Sequence, residues 1–225
     1  MTAAEQSRPG TATRALVAAV AVLAVLLLGA AVGLLIRLPG SDNASVPAKD
    51  SVDVGFSQDM AVHHVQGITM ANTARDKTTN QAIRQLAFDI ESTQLEQVGR
   101  MKGWLTLWGM PEQSPDGTHM KWMATASHHS AGTTSSAGKA GLMPGMASSE
   151  ELARLRSLSG TEFDVYFLQL MLRHHQGGAP MAEYAATHAG QNVVRTLADN
   201  MLKSQSSESE YMKQLLTERG AAPLQ

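Results

Sequence analysis

The chain has 225 residues, room for one domain of ordinary size plus an appendage, and carries 18 Lys and Arg against 20 Asp and Glu, a formal charge of −2. It has no Cys, which excludes disulfides and thiolate metal ligands and leaves His, Met, carboxylates and amides for any site chemistry. The charge balance argues against a nucleic-acid partner, which selects a basic surface.

In chain order, the first element is residues 15–36, ALVAAVAVLAVLLLGAAVGLLI, 22 residues without a charge. As a helix it is long enough to cross the roughly 30 Å hydrocarbon core of a bilayer, so it is predicted as a single transmembrane anchor. Arg8 and Arg14 precede it, which places residues 1–14 in the cytoplasm and the remainder outside, with Arg37 pulling the other way. The competing reading is a signal peptide cleaved near Ala30 and Ala31, with the remainder secreted. Against it, the apolar run exceeds the roughly 7 to 15 residues of a signal core, and no Cys follows to carry a lipid. Residues 38–225 hold 15 basic and 19 acidic side chains, a charge of −4. The stretch 37–52, rich in Pro, Gly, Ser and Asp, reads as a flexible tether.

From 53 to 110 apolar residues recur at helical spacing with a break at DKTTN, which predicts a helix of about 20 residues and one of nearly 30, folded into an antiparallel hairpin. Residues 111–147 have the composition of a long loop but contain three His, four Met and Trp122. His119, Met120, Met123, His128, His129, Met143 and Met146 are therefore candidate auxiliary donors, the plainer alternative being a linker that happens to contain them. Ser148 or Ser149 before EELARL predicts a short capped helix. Thr161 and Asp164 in TEFD have capping-box spacing and open a third long helix through about His188; a fourth runs from about Gln191 to Arg219.

The deciding feature is an internal repeat. Shifting the sequence by 111 residues, without a gap, superposes Asp53 on Asp164, Phe56 on Phe167, Met60 on Met171, and His63 and His64 on His174 and His175. It also pairs Gly67 with Gly178, Met70 with Met181, Gln94 with Gln205, Met101 with Met212 and Gly109 with Gly220. Two copies of one helical hairpin predict an all-α four-helix bundle with approximate two-fold symmetry.

At about 100° per residue, Phe56, Met60, His63, Gly67 and Met70 share one stripe, while His64 falls at its edge near Asp53. The second copy repeats this with Phe167, Met171, His174, Gly178 and Met181 inward and His175 at the edge near Asp164. Gly in mid-helix costs about 1 kcal/mol against Ala, so close approach of a helix or ligand is the expected compensation at Gly67 and Gly178. Thioethers are soft donors that favour Cu(I), and imidazole suits copper in either oxidation state as well as zinc. The candidate metal donors are thus His63, His64, His174 and His175 with Met60, Met70, Met171 and Met181, each repeat supplying one wall of a mixed site. Met at helical spacing is more often core filler, and a lone buried His is more often simply hydrogen-bonded. Paired His at identical distances from two Met in both copies shifts the balance to metal. Asp53 and Asp164 are candidates to orient the outer His of each pair, capping of their own helices being the alternative. Gln94 and Gln205 lie on the following helices, where interhelical hydrogen bonding is the plainer role. No Glu-x-x-His motif occurs, so a carboxylate-rich di-iron site is not supported.

At these residues the chain resembles the DUF305 family, whose signature reads approximately D-x-x-F-x-x-x-M-x-x-H-H-x-x-A-x-x-M-A; here it stands as DVGFSQDMAVHHVQGITMA from Asp53 and DVYFLQLMLRHHQGGAPMA from Asp164. QLEQVGRMKGWL from Gln94 and QSSESEYMKQLL from Gln205 are similar to the family's following helix. The resemblance covers about residues 50–220. It implies a ferritin-like four-helix domain over 53–220, with repeat 1 at 53–110, the loop at 111–147 and repeat 2 at 160–220, exported or membrane-anchored and linked to copper binding and tolerance. Gln97 departs from the family's usual Glu, which Glu208 keeps, adding Glu208 to the candidates that support the metal ligands. Pro180 removes a helix hydrogen bond beside Met181 and is expected to kink the second copy.

The leading expectation is a membrane-anchored extracytoplasmic protein that binds or buffers copper, Cu(I) in particular. The alternative is a helical interaction or sensor domain whose His pairs are structural. A metalloenzyme ranks last, because no base or nucleophile set is recognisable.

Overall fold

The computed structural model describes residues 10–35, 46–123 and 141–224, and among them six helices form and no strand. The chain divides into two compact units, residues 1–45 and 46–225.

The first unit is the helix α1, Thr11–Leu35, whose Leu16, Val25 and Leu28 side chains stand exposed. Among the described residues no helix is long and apolar enough to cross a membrane. The spanning expectation for residues 15–36 therefore rests on the sequence; Ile36, Arg37 and the tether through residue 45 lie outside the described residues.

The second unit holds α2 (Val52–Lys77), α3 (Gln81–Leu107), α4 (Ser149–Ser157), α5 (Gly160–His188) and α6 (Asn192–Thr217). Ser51 caps α2 by accepting from Val54, and Asn80 caps α3 by accepting from Ile83. The break at DKTTN falls at Thr78, whose extended backbone ends α2. Ser148 and Glu151 form the reciprocal capping box of α4. The capping box expected from Thr161 and Asp164 is not formed: Ser159 precedes α5 without a side-chain cap, and the Asp164 carboxylate accepts from the Thr78 hydroxyl at 2.6 Å instead. Pro180 sits inside α5, which is assigned as helix from Gly160 to His188.

Both hairpins end alike. Gly109 and Gly220 are left-handed, at φ +66° and +64°, and the next residues, Met110 and Ala221, donate back to Leu105 and Leu216. This is the Schellman end that favours Gly, and it occurs at the same repeat position in each copy.

α2 packs on α3 and α5 on α6, and the two hairpins meet through α2 and α5. One apolar cluster gathers Met70, Ile83, Ile90, Phe163, Phe167, Met171 and Met212; the other gathers Phe56, Met60, Met101, Met143, Met181 and Met201. The N-terminal half of α2 shares a cluster with the C-terminal half of α5, and the reverse, so the two helices cross antiparallel. The repeat shift of 111 carries Met60, Met101 and Phe56 of one cluster onto Met171, Met212 and Phe167 of the other, which is the two-fold relation expected of the duplication.

Candidate metal site

Between the two apolar clusters every long helix contributes polar residues or glycine: His63, His64 and Gly67 on α2, Gln94 and Gln97 on α3, His174, His175 and Gly178 on α5, Gln205 and Glu208 on α6. His63 and His174 stack at the centre, with ring centroids 3.8 Å apart. His64 lies 6.4 Å from His63, and His175 lies 6.3 Å from His174. All four rings are buried. The outer pair was expected at the edge of the stripe; Gln97 on α3 and Glu208 on α6 cover it.

Each Nε2 meets an oxygen. His63 donates to the carbonyl of Pro144 at 3.1 Å, His174 to the backbone carbonyl of His63 at 2.9 Å, His64 to Oε1 of Gln97 at 2.8 Å and His175 to the Glu208 carboxylate at 2.6 Å. These acceptor oxygens place a proton on Nε2 in every ring, so a ring in its neutral form has its lone pair on Nδ1. None of the four Nδ1 atoms has a partner. Burial also holds rings neutral: it pushes His63 down to about 4 against the opposing Pro144 bond, and His64 down to about 3 with help from charge on His63. His174 is lowered well below the ordinary value, again by burial first and then by the neighbouring His63.

The glycines make this arrangement possible. A β-carbon on Gly67 would meet Oε1 of Gln94 and stand 3.0 Å from Cε1 of His174; one on Gly178 would stand 3.1 Å from Cε1 of His63. Each repeat's glycine thus makes room for the other repeat's inner histidine. The Gln94 amide, buried beside Gly67, has no partner for either its oxygen or its nitrogen. An unsatisfied buried amide of this kind costs roughly 1–3 kcal/mol, which a ligand in the layer would offset.

Neutral imidazoles whose far N–H is tied to an oxygen are the form in which histidine takes a metal. Among the described residues, however, no three His, Cys, Asp or Glu side chains are arranged to hold one. A metal here therefore needs thioether or amide donors beside the imidazoles. Met60 lies one helical turn before His63 and His64 and is buried in the same cluster as Met181; Met171 stands likewise to His174 and His175 and is buried with Met70. The expected walls, Met60 with Met70 and Met171 with Met181, are thereby regrouped, because the antiparallel crossing of α2 and α5 joins opposite ends of the two motifs.

A domain of unknown function, DUF305, matches residues 53–216. The chain belongs to the DUF305 family. A protein of Streptomyces coelicolor, named as a secreted DUF305 protein, is 41% identical in its crystal structure, covers 79% of this chain and 99% of its own, and superposes with a TM-score of 0.70. A DUF305 fragment from Deinococcus radiodurans is 29% identical over 74% of this chain and 96% of its own, with a TM-score of 0.59. CopM in its Cu(I)-bound form is 25% identical over 74% of this chain and 96% of its own, with a TM-score of 0.54, and it is also solved in a Cu(II)-bound form. No curated protein matches the chain.

The DUF305 layer is closed by the loop between the repeats. Besides the Pro144 carbonyl on His63, Ala147 exchanges two hydrogen bonds with the Gln66 side chain, at 2.6 and 3.0 Å. Arg173 makes two bonds to Glu151 at 2.6 and 2.7 Å, tying α4 to α5. Gly177 presses against the backbone of Pro144 and Gly145. Gln66 and Gly177 are one repeat position, 111 residues apart, so segment 143–147 lies across the two-fold relation and is gripped by both copies. Earlier in the loop, buried Asp59 accepts from the His119 ring, the Met120 N–H and the Trp122 indole at 2.7, 2.7 and 2.8 Å, and Trp122 packs edge-on to Phe56.

Of the auxiliary donors, Met143 is buried in the Met60 cluster, Met120, Met123 and Met146 are partly buried against it, and His119 is engaged by Asp59. His128 and His129 lie outside the described residues. Asp53 and Asp164 do not orient the outer histidines: Asp53 accepts from the backbone N–H of Gly190 and Gln191, fastening the turn before α6, and Asp164 accepts from Thr78. Both carboxylates sit near a helix start, far along α2 and α5 from the His pairs, within reach of the other hairpin's connection. Asp59, Gln66, Gly177 and Pro144 were missed in the sequence. Only Asp59 carried a signal, since the repeat pairs it with Leu170, an acid opposite an apolar residue.

Proposed function

We propose that this DUF305 protein binds copper, Cu(I) above all, outside the cytoplasmic membrane, using His63, His64, His174 and His175 as nitrogen donors with Met60, Met181, Met171 and Met70 as sulfur donors. The observation that carries this reading is the set of four buried Nδ1 atoms without partners, each behind an Nε2–H held by an oxygen. The softness of the thioethers favours Cu(I) over harder cations. The likeness to CopM, solved with Cu(I) and Cu(II), supports the same metal. A structural role for the His pairs accounts for the Nε2 bonds but leaves four ring nitrogens and the Gln94 amide unsatisfied.

The role is binding or buffering rather than catalysis, as no base or nucleophile set is recognisable in the sequence. The membrane part of the proposal rests on residues 15–36, uncharged and preceded by Arg8 and Arg14.

Titration of the full-length chain with Cu(I) against a competing chelator tests the reading, repeated with His63→Ala and His174→Ala. The expected result is binding tighter than micromolar that weakens at least about tenfold in each variant. Affinity no tighter than micromolar, or affinity untouched by both substitutions, sinks it.

A further inference from the structure

The two halves of the layer are near copies in their donors and differ behind them. His64 and His175 occupy the same repeat position, as do their acceptors, Gln97 and Glu208. At one end the Nε2–H of His64 meets a neutral amide oxygen at 2.8 Å, and at the other the Nε2–H of His175 meets a carboxylate at 2.6 Å. Gln and Glu are nearly the same size and shape, so the chain carries two variants of one site within itself, whose acceptors behind the outer ring differ by a single charge.

That charge acts on a buried cation. All the proposed donors, imidazole and thioether, are neutral when they bind, and in the His64 half no carboxylate stands behind the outer ring; the buried Asp59 of that half is turned to residues 119–122, so an ion entering there is costly to bury. In the His175 half the Glu208 carboxylate, one imidazole ring away, supplies the opposite charge and makes the ring a more basic donor. Arg173, which precedes the His pair on α5, does not cancel this, because its guanidinium is matched by both oxygens of Glu151.

We infer that the layer is two unequal copper sites: the half of His174, His175 and Met171, backed by Glu208, fills first, and the half of His63, His64 and Met60, backed by Gln97, fills second and more weakly. The inference rests on the copper-binding reading above.

The test uses the full-length chain with Ag(I) as a diamagnetic stand-in and Cu(I) under a competing chelator, in the wild type, Glu208→Gln and Gln97→Glu. In the wild type, two binding steps about 10- to 100-fold apart are expected, and the first equivalent of Ag(I) shifts the imidazole ¹⁵N resonances of His175 before those of His64. Glu208→Gln brings the tight step down to the weak one, while Gln97→Glu brings the weak step up. The second variant adds an acid rather than removing one, so it stands independently if the first folds poorly. Two indistinguishable steps in the wild type, a tight step unchanged by Glu208→Gln, or His64 responding first overturns the inference and leaves copper binding intact. No binding tighter than micromolar in the wild type removes the copper reading, and the inference with it.

Discussion

The carbonyl group of Pro144 occupies the place where a β-carbon on Gly177 would stand. The obstacle is main chain rather than the movable end of a side chain, so Gly177→Ala must lift segment 143–147 off α5 and take the Pro144 carbonyl away from His63. A loss of about 1–3 kcal/mol in urea unfolding is expected, the range of overpacking, despite the better helix propensity of Ala. Gly99 on α3 has nothing within 4 Å of its would-be β-carbon and serves as the control: Gly99→Ala should gain up to about 1 kcal/mol. Equal effects at the two positions would contradict the seating of the loop.

Asp59 holds three donors from residues 119 to 122. Asp59→Asn replaces an acceptor oxygen by an amide that faces donors, so a destabilisation of about 1–3 kcal/mol is expected. Trp122, freed from Asp59 and Phe56, should give a red-shifted emission component; a spectrum identical to the wild type would show that the carboxylate does not hold the loop.

Stability of the metal-free chain should fall as the pH drops from about 6.5 toward 4. An unfolded histidine binds its proton near 6.5, whereas folded His63 and His64 remain neutral down to about 4 and 3. The unfolded state therefore binds more protons in this window, and the stability contributed by the neutral buried rings, fully present above 6.5, is lost on acidification. Urea midpoints at about pH 7, 5.5 and 4.5 measure it; a midpoint that stays level across this range would mean the rings are hydrated.

Full-length protein should fractionate with membranes and resist alkaline extraction, and removal of residues 1–45, a compact unit of their own, should release the rest. Recovery of the full-length product from the medium with a new N-terminus near Val32 would instead identify a cleaved signal.

Much of the architecture is local and therefore readable in the sequence. The break before Asn80, the cap before EELARL and the glycines that end α3 and α6 are each determined within a few residues of themselves, and the 111-residue repeat is visible by comparing the chain with itself. The inward direction of His63 and His174 and the need for Gly67 and Gly178 also followed from helical periodicity. What periodicity does not encode is which elements meet. The partners of Asp53 and Asp164, the grouping of Met60 with Met181, and the seat of Pro144 on His63 all join segments roughly 80 or more residues apart, where antiparallel packing decides the neighbour.

The inner histidines do not obey the symmetry of the repeat. His174 donates to the main chain of His63, but His63 does not return the bond to His174; it turns to Pro144, a residue present once per chain. Two identical hairpins associating as separate molecules would have to treat both rings alike. Joining the hairpins in one polypeptide therefore does more than raise their local concentration: the connecting segment supplies the odd acceptor at the axis, so the two inner rings stand in different surroundings.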